Sequence, residues 1–144
     1  AHGHEEFRGC MSRVSENLKL LVAHRASLRC EYCKIPDMGF GLPFQVDHIR
    51  AIKHGGTSAY SNLAYCCPDC NRYKGTDVGS YGDNDDTLIP FFNPRKDIWH
   101  DHFVVENGKI IGIDQVGRVT SKIFRFNLEE RVLYRLTLMG FDLY

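Results

Sequence analysis

Residues 67–75 read Cys67-Pro-Asp-Cys70-Asn71-Arg-Tyr-Lys74-Gly75, and a second Cys-x-x-Cys pair, Cys30-Glu-Tyr-Cys33, lies upstream with 33 residues between Cys33 and Cys67. A Cys-x-x-Cys knuckle turns the chain so that two thiolates converge on one ion. Two knuckles complete a tetrahedral four-thiolate shell, with Zn–S bonds of about 2.3 Å. Disulfides between the pairs are the alternative. Reduced thiols are the norm in the cytosol, and the doubled spacing favours metal. Cys30, Cys33, Cys67 and Cys70 are therefore expected to hold a structural Zn²⁺ with no position left for water. Cys10 and Cys66 are left over; Cys66 lacks the two-residue spacing to Cys70 that Cys67 has.

Outward from the knuckles, the sequence predicts an α+β fold. Ser15 is a plausible N-cap for a helix carrying Leu18, Leu21, Val22 and Ala26 at helical spacing. Pro36, Gly39, Gly41 and Pro43 mark a loop. Phe44–Ile49 reads as a short strand, with Phe44 and Val46 on one face and Asp47 and Ile49 on the other. Lys53–Thr57 reads as a loop, Asn62–Cys66 as a second strand, and Cys70–Gly75 as a helix. Farther on, residues 79–87 look like a polar loop. His102–Glu106 and Lys109–Asp114 look like strands flanking an Asn107-Gly108 turn. A helix from about Val119 to Phe126 follows. Asn127 and Glu130 have the spacing of a capping box opening a last helix to about Leu138. Residues 1–11 are expected to be a loose tail or leader, and 12–144 one domain. Within it the core motif spans about 28–76 and a C-terminal extension about 88–144.

The 144 residues carry 43% hydrophobic, 12% aromatic and 25% charged side chains, an ordinary globular balance. No run of about 18 apolar residues suggests a membrane span, and no secretory pattern opens the sequence, so the default expectation is a cytoplasmic protein. Net charge is zero. The basic residues cluster, however: Arg8, Arg13, Lys19, Arg25, Arg29 and Lys34 in one stretch, Arg118, Lys122, Arg125, Arg131 and Arg135 in another. A nucleic-acid backbone requires local positive potential rather than a positive total, although solvated helix faces would look the same.

Between and after the knuckles the sequence resembles the HNH endonuclease family and its ββα-metal finger. The resemblance rests on Asp47-His48-Ile49, His54-Gly55-Gly56, Asn62-Leu63 and Cys67-x-x-Cys70-Asn71-x-x-Lys74, and is strong over about residues 28–76. A weaker likeness, through Phe92-Asn93-Pro94-Arg95, Trp99 and Asp101-His102-Phe103, is to the C-terminal extension of many bacterial HNH proteins. The resemblance implies that His48 is the general base for an attacking water, a role suited to a neutral imidazole. It implies that Asp47 and Asn71 hold a divalent ion, and that Asn62 ties down the loop and orients His48. Oxygen donors suit Mg²⁺ or Mn²⁺ better than a soft metal. Many relatives have histidine where Asn71 stands, which makes Zn²⁺ or Ni²⁺ at this second site a poorer expectation. His54, Arg72 and Lys74 are candidate phosphate contacts. His100 and His102 flank Asp101, but alternating surface histidines account for them more simply than a further metal site.

The function so implied is metal-dependent endonucleolytic hydrolysis of nucleic acid, DNA in the first place, leaving 5′-phosphate and 3′-hydroxyl ends. The alternative is a zinc-ribbon module that grips nucleic acid without cutting it. A redox or metal-storage role for the Cys-x-x-Cys pairs is a third reading.

Overall fold

A computed structural model describes residues 14–144; Cys10, Arg8, Arg13 and the expected tail lie outside the described residues. The fold is α+β. Helix α1 spans Glu16–Arg25, and the Ser15 hydroxyl caps it by accepting from Leu18 N at 3.2 Å. Strands β1 (Gln45–His48) and β2 (Leu63–Cys66) pair antiparallel, with Asp47 opposite Ala64 and His48 opposite Leu63. Helix α2 (Pro68–Lys74) follows directly, opening on Cys67, whose Sγ accepts from Cys70 N, with Pro68 in its first turn.

Three short helical turns and two further hairpins complete the chain. One turn, Ile52–His54, lies where a plain loop was expected, and another spans Tyr60–Asn62. The third is Trp99–Asp101, which places His100 on a turn rather than on a strand. Strands β3 (Gly79–Tyr81) and β4 (Leu88–Pro90) form a hairpin, so the segment expected to be only a polar loop begins with a strand. Strands β5 (Phe103–Glu106) and β6 (Lys109–Gly112) pair around Asn107 and Gly108, both at positive φ. Helices α3 (Gln115–Ile123) and α4 (Glu129–Gly140) close the fold.

Two expectations about helix starts fail for physical reasons. Helix α3 begins at Gln115, capped by the Asp114 carboxylate accepting from Gly117 N at 2.8 Å. Asn127 does not cap α4. Its amide accepts from Ile110 N (2.8 Å) and donates to Ile110 O (2.7 Å), tying the α3–α4 junction to β6, and the Leu128 backbone opens the helix.

The main core joins the knuckles to the C-terminal half. Cys30, Tyr32, Cys33, Cys67 and Cys70 pack with Phe91, Phe92, Trp99, Phe103, Phe124 and Phe126. Trp99 donates its indole N–H to Tyr32 O at 2.8 Å. A smaller cluster of Val22, Leu63 and Tyr65 seats α1 on the β1–β2 hairpin, flanked by Leu18, Ala26, Phe44 and Val46. Leu21, expected on the buried stripe, faces solvent.

Candidate active site and metal centre

The four predicted thiols converge. The Sγ atoms of Cys30, Cys33, Cys67 and Cys70 all lie within 4.8 Å of one another, and all four residues are fully buried. The Cys33–Cys67 separation is 3.6 Å. A tetrahedron with Zn–S bonds of about 2.3 Å has edges of about 3.8 Å, so the donor set fits zinc. Cys66 also lies in the core but outside this group, which settles the choice between it and Cys67. Among the described residues no other cluster of three or more histidine, cysteine or acidic side chains has this geometry. His102 instead bonds Asp114 through Nδ1 at 2.6 Å, and His100 sets its ring edge-on to Trp99.

Four thiolates around a divalent ion carry two negative charges, and burial makes uncompensated charge costly. The compensating group is Arg131, from the first turns of α4. Its Nη2 donates to Cys70 Sγ at 3.2 Å and Cys67 Sγ at 3.9 Å, while Nη1 donates to Phe124 O (2.6 Å) and Arg125 O (3.1 Å). Burial works against the charge on Arg131, but the thiolates of Cys70, Cys33 and Cys67 more than offset it and push its pKa up. The tail of the chain is fastened to the same place: Tyr144 donates to Cys33 O at 2.7 Å, and Arg29 to Leu143 O at 3.1 Å. Arg131 and Arg135 are both buried, so two of the five basic residues in that stretch are structural rather than available to a polyanion.

The β1–β2–α2 finger gathers the second group. Asp47 is buried; its carboxylate accepts from Tyr32 Oη at 2.8 Å and pairs with Lys74 Nζ at 3.3 Å. Burial raises its pKa against the opposing pull of Lys74 and the Tyr32 bond. Lys74 also donates to His48 O at 3.1 Å, so one ammonium joins the end of α2 to two successive residues of β1. Lys74 is only 2% exposed, which makes it a buried strut rather than a free phosphate contact. Asn71 is half-buried on α2, one turn before Lys74 and hence on the same side of the helix.

His48 Nε2 lies 2.9 Å from Ser58 Oγ, and the ring is half-buried. Desolvation lowers its pKa, with Asp47 opposing and Lys74 adding to the effect, which favours the neutral imidazole. Asn62 staples the intervening loop. Its Oδ1 accepts from Arg50 N (2.9 Å), and its Nδ2 donates to Arg50 O (2.9 Å) and Thr57 O (2.7 Å). Gly56 has no room for a side chain there: a Cβ would stand 1.7 Å from Arg50 O. His54 and Arg72 are exposed, the latter paired with Asp69 and stacked over Tyr73.

Tyr32, Ser58 and Arg131 carry no signal along the chain that would have marked them. Tyr32 lies inside the first knuckle, and its spacing says nothing of Asp47. Arg131 reads as one more surface charge on an amphipathic helix.

Two antiparallel strands, a short helix and a four-thiolate site define a metal-finger protein. Residues 30–77, about a third of the chain, match the family model for HNH endonuclease, and the strand–strand–helix unit with its four thiols lies within that stretch. No curated protein and no solved structure matches the chain. No helix among the described residues is long and apolar enough to cross a membrane.

Proposed function

We propose that the protein is a metal-dependent endonuclease that hydrolyses DNA phosphodiester bonds, with His48 as general base. The observation that carries this reading is the finger over residues 30–77, in which His48 and Asp47 end one strand, Asn71 and Lys74 lie on the following helix, and Lys74 bridges the two. The neutral imidazole takes a proton from the attacking water, and Ser58 and the stapled loop hold the ring in place. Asp47 and Asn71 would hold a divalent ion, which would supply stabilisation of the charge that develops during hydrolysis. One carboxylate and one amide are a sparse oxygen donor set. That fits Mg²⁺ or Mn²⁺, which keep several waters and take further ligands from phosphate. Tyr32 keeps the Asp47 carboxylate directed, and burial together with that carboxylate holds the phenol's own pKa well above the ordinary value.

Supercoiled plasmid incubated with the protein under EDTA, Mg²⁺ or Mn²⁺ tests the reading. Nicking that requires the added ion and leaves ligatable 5′-phosphate and 3′-hydroxyl ends is the expected result. Salt-sensitive binding indifferent to Mg²⁺, with no cleavage, would instead mark a non-catalytic zinc-ribbon module.

A further inference from the structure

A cleft of about 670 Å³ opens between the finger and the C-terminal extension. Its finger wall carries Arg50, His54 and Asn62; the opposite wall is the turn Asn93–Asp97, with Arg95 and Lys96. Between them lie apolar surfaces of Ile49, Val78 and Pro90. Arg50, His54 and Lys96 are exposed. Among the described residues neither Arg50 nor Lys96 has a carboxylate partner within ion-pair distance. Lys74 and Arg95 are offset by Asp47 and Glu31 respectively, and Asp97 is the acidic residue of the lining. The Nε of Arg95 is buried and without a hydrogen-bond partner, a donor whose desolvation is not repaid within the protein.

The geometry points to a binding site for an unpaired stretch of nucleic acid, one nucleotide seated in the cleft with its base against the apolar walls and its phosphates on Arg50 and Lys96. Excess cations select a polyanion, and the apolar walls select one with flat, weakly hydrated parts. An inorganic phosphate would leave those walls wet, and the stacked bases of a duplex would present no free face to them. The cleft adjoins the proposed catalytic residues, because Lys74 and Asn62 both line it and support the His48 region. The inference rests on the nuclease reading for the strand's fate, but not for its binding. On this basis the C-terminal extension completes a single-strand path beside the finger.

Fluorescence anisotropy in EDTA, where no cleavage occurs, separates the two. The probes are a labelled single strand of about 12 nucleotides and a hairpin duplex of the same composition. Wild type is expected to prefer the single strand. Lys96→Glu and Arg50→Ala are expected to weaken that binding about tenfold, and to lower the log–log salt slope by about 1. Duplex binding should stay unchanged, as should zinc content and the circular dichroism spectrum. His48→Ala should bind the single strand like wild type. Variants that bind single strands as tightly as wild type, or lose both probes equally, would overturn the cleft. If wild type cuts no plasmid in Mg²⁺ or Mn²⁺ but the single-strand loss appears, the cleft stands and the catalytic reading falls.

Discussion

A single guanidinium decides how the zinc site tolerates its burial. Arg131 touches two thiolates and two carbonyls at the end of α3, so it offsets one of the metal centre's two negative charges and closes a helix terminus together. Outer partners of metal ligands are typically worth 10–100-fold in affinity. Arg131→Met is accordingly expected to weaken zinc about 10–100-fold in competition with a chromogenic chelator, and Arg131→Lys to recover part of that loss. The cobalt-substituted protein should show a shifted thiolate-to-metal absorption band in the Met variant. Unchanged zinc affinity and an unchanged cobalt spectrum would show that the contact is packing only.

At the scale of elements, what could be read from the sequence was what depends on neighbours along the chain. The knuckles, the strand-strand-helix finger and the Asn107-Gly108 hairpin announce themselves through fixed spacing and turn chemistry. What stayed hidden depends on contacts between distant segments. Helix α3 starts four residues before the expected Val119 and takes in Gly117, where the backbone comes against the preceding hairpin: a Cβ there would stand 2.1 Å from His102 O and 2.9 Å from Gly112 Cα. Asn127 looks like a cap and is instead spent on Ile110. The α3 and α4 arginines look like a surface stripe, and two of them are buried struts. In the candidate site, the four thiol ligands were legible from their spacing, and the proposed base and ion ligands were named from the motif, whereas Tyr32 and Ser58 carried no such signal. The hairpin offers a direct comparison. Gly108 has φ +78°, and a Cβ there would meet Leu136 Cγ at 2.7 Å; Gly39, at the same φ, has nothing within 4 Å. Gly108→Ala should lose about 2–4 kcal/mol in denaturant unfolding, and Gly39→Ala only about 1 kcal/mol. Equal losses would mean that α4 does not press on the turn.

For the whole molecule, the metal site is the middle of the core rather than an ornament on it. Cys30, Cys33, Cys67 and Cys70 share one cluster with aromatic side chains from the C-terminal half, including Trp99, the sole tryptophan. Zinc coordination contributes on the order of 10 kcal/mol, comparable to the total stability of a domain this size. Removing zinc with a strong chelator should therefore unfold the finger and the extension together, seen as one transition in far-ultraviolet circular dichroism and Trp99 fluorescence. Two separate transitions would show that the extension folds without the knuckles. The proposed second centre is expected to behave otherwise, since an ion held only by Asp47, Asn71 and water would leave without disturbing the fold. That separation of a structural metal from the chemistry is tested most directly by His48→Ala, assayed for metal-dependent plasmid nicking beside wild type. Nicking is expected to fall by about 10²–10⁴-fold, with zinc content and melting temperature unchanged. Nicking at the wild-type rate in that variant would contradict the role of His48 as base.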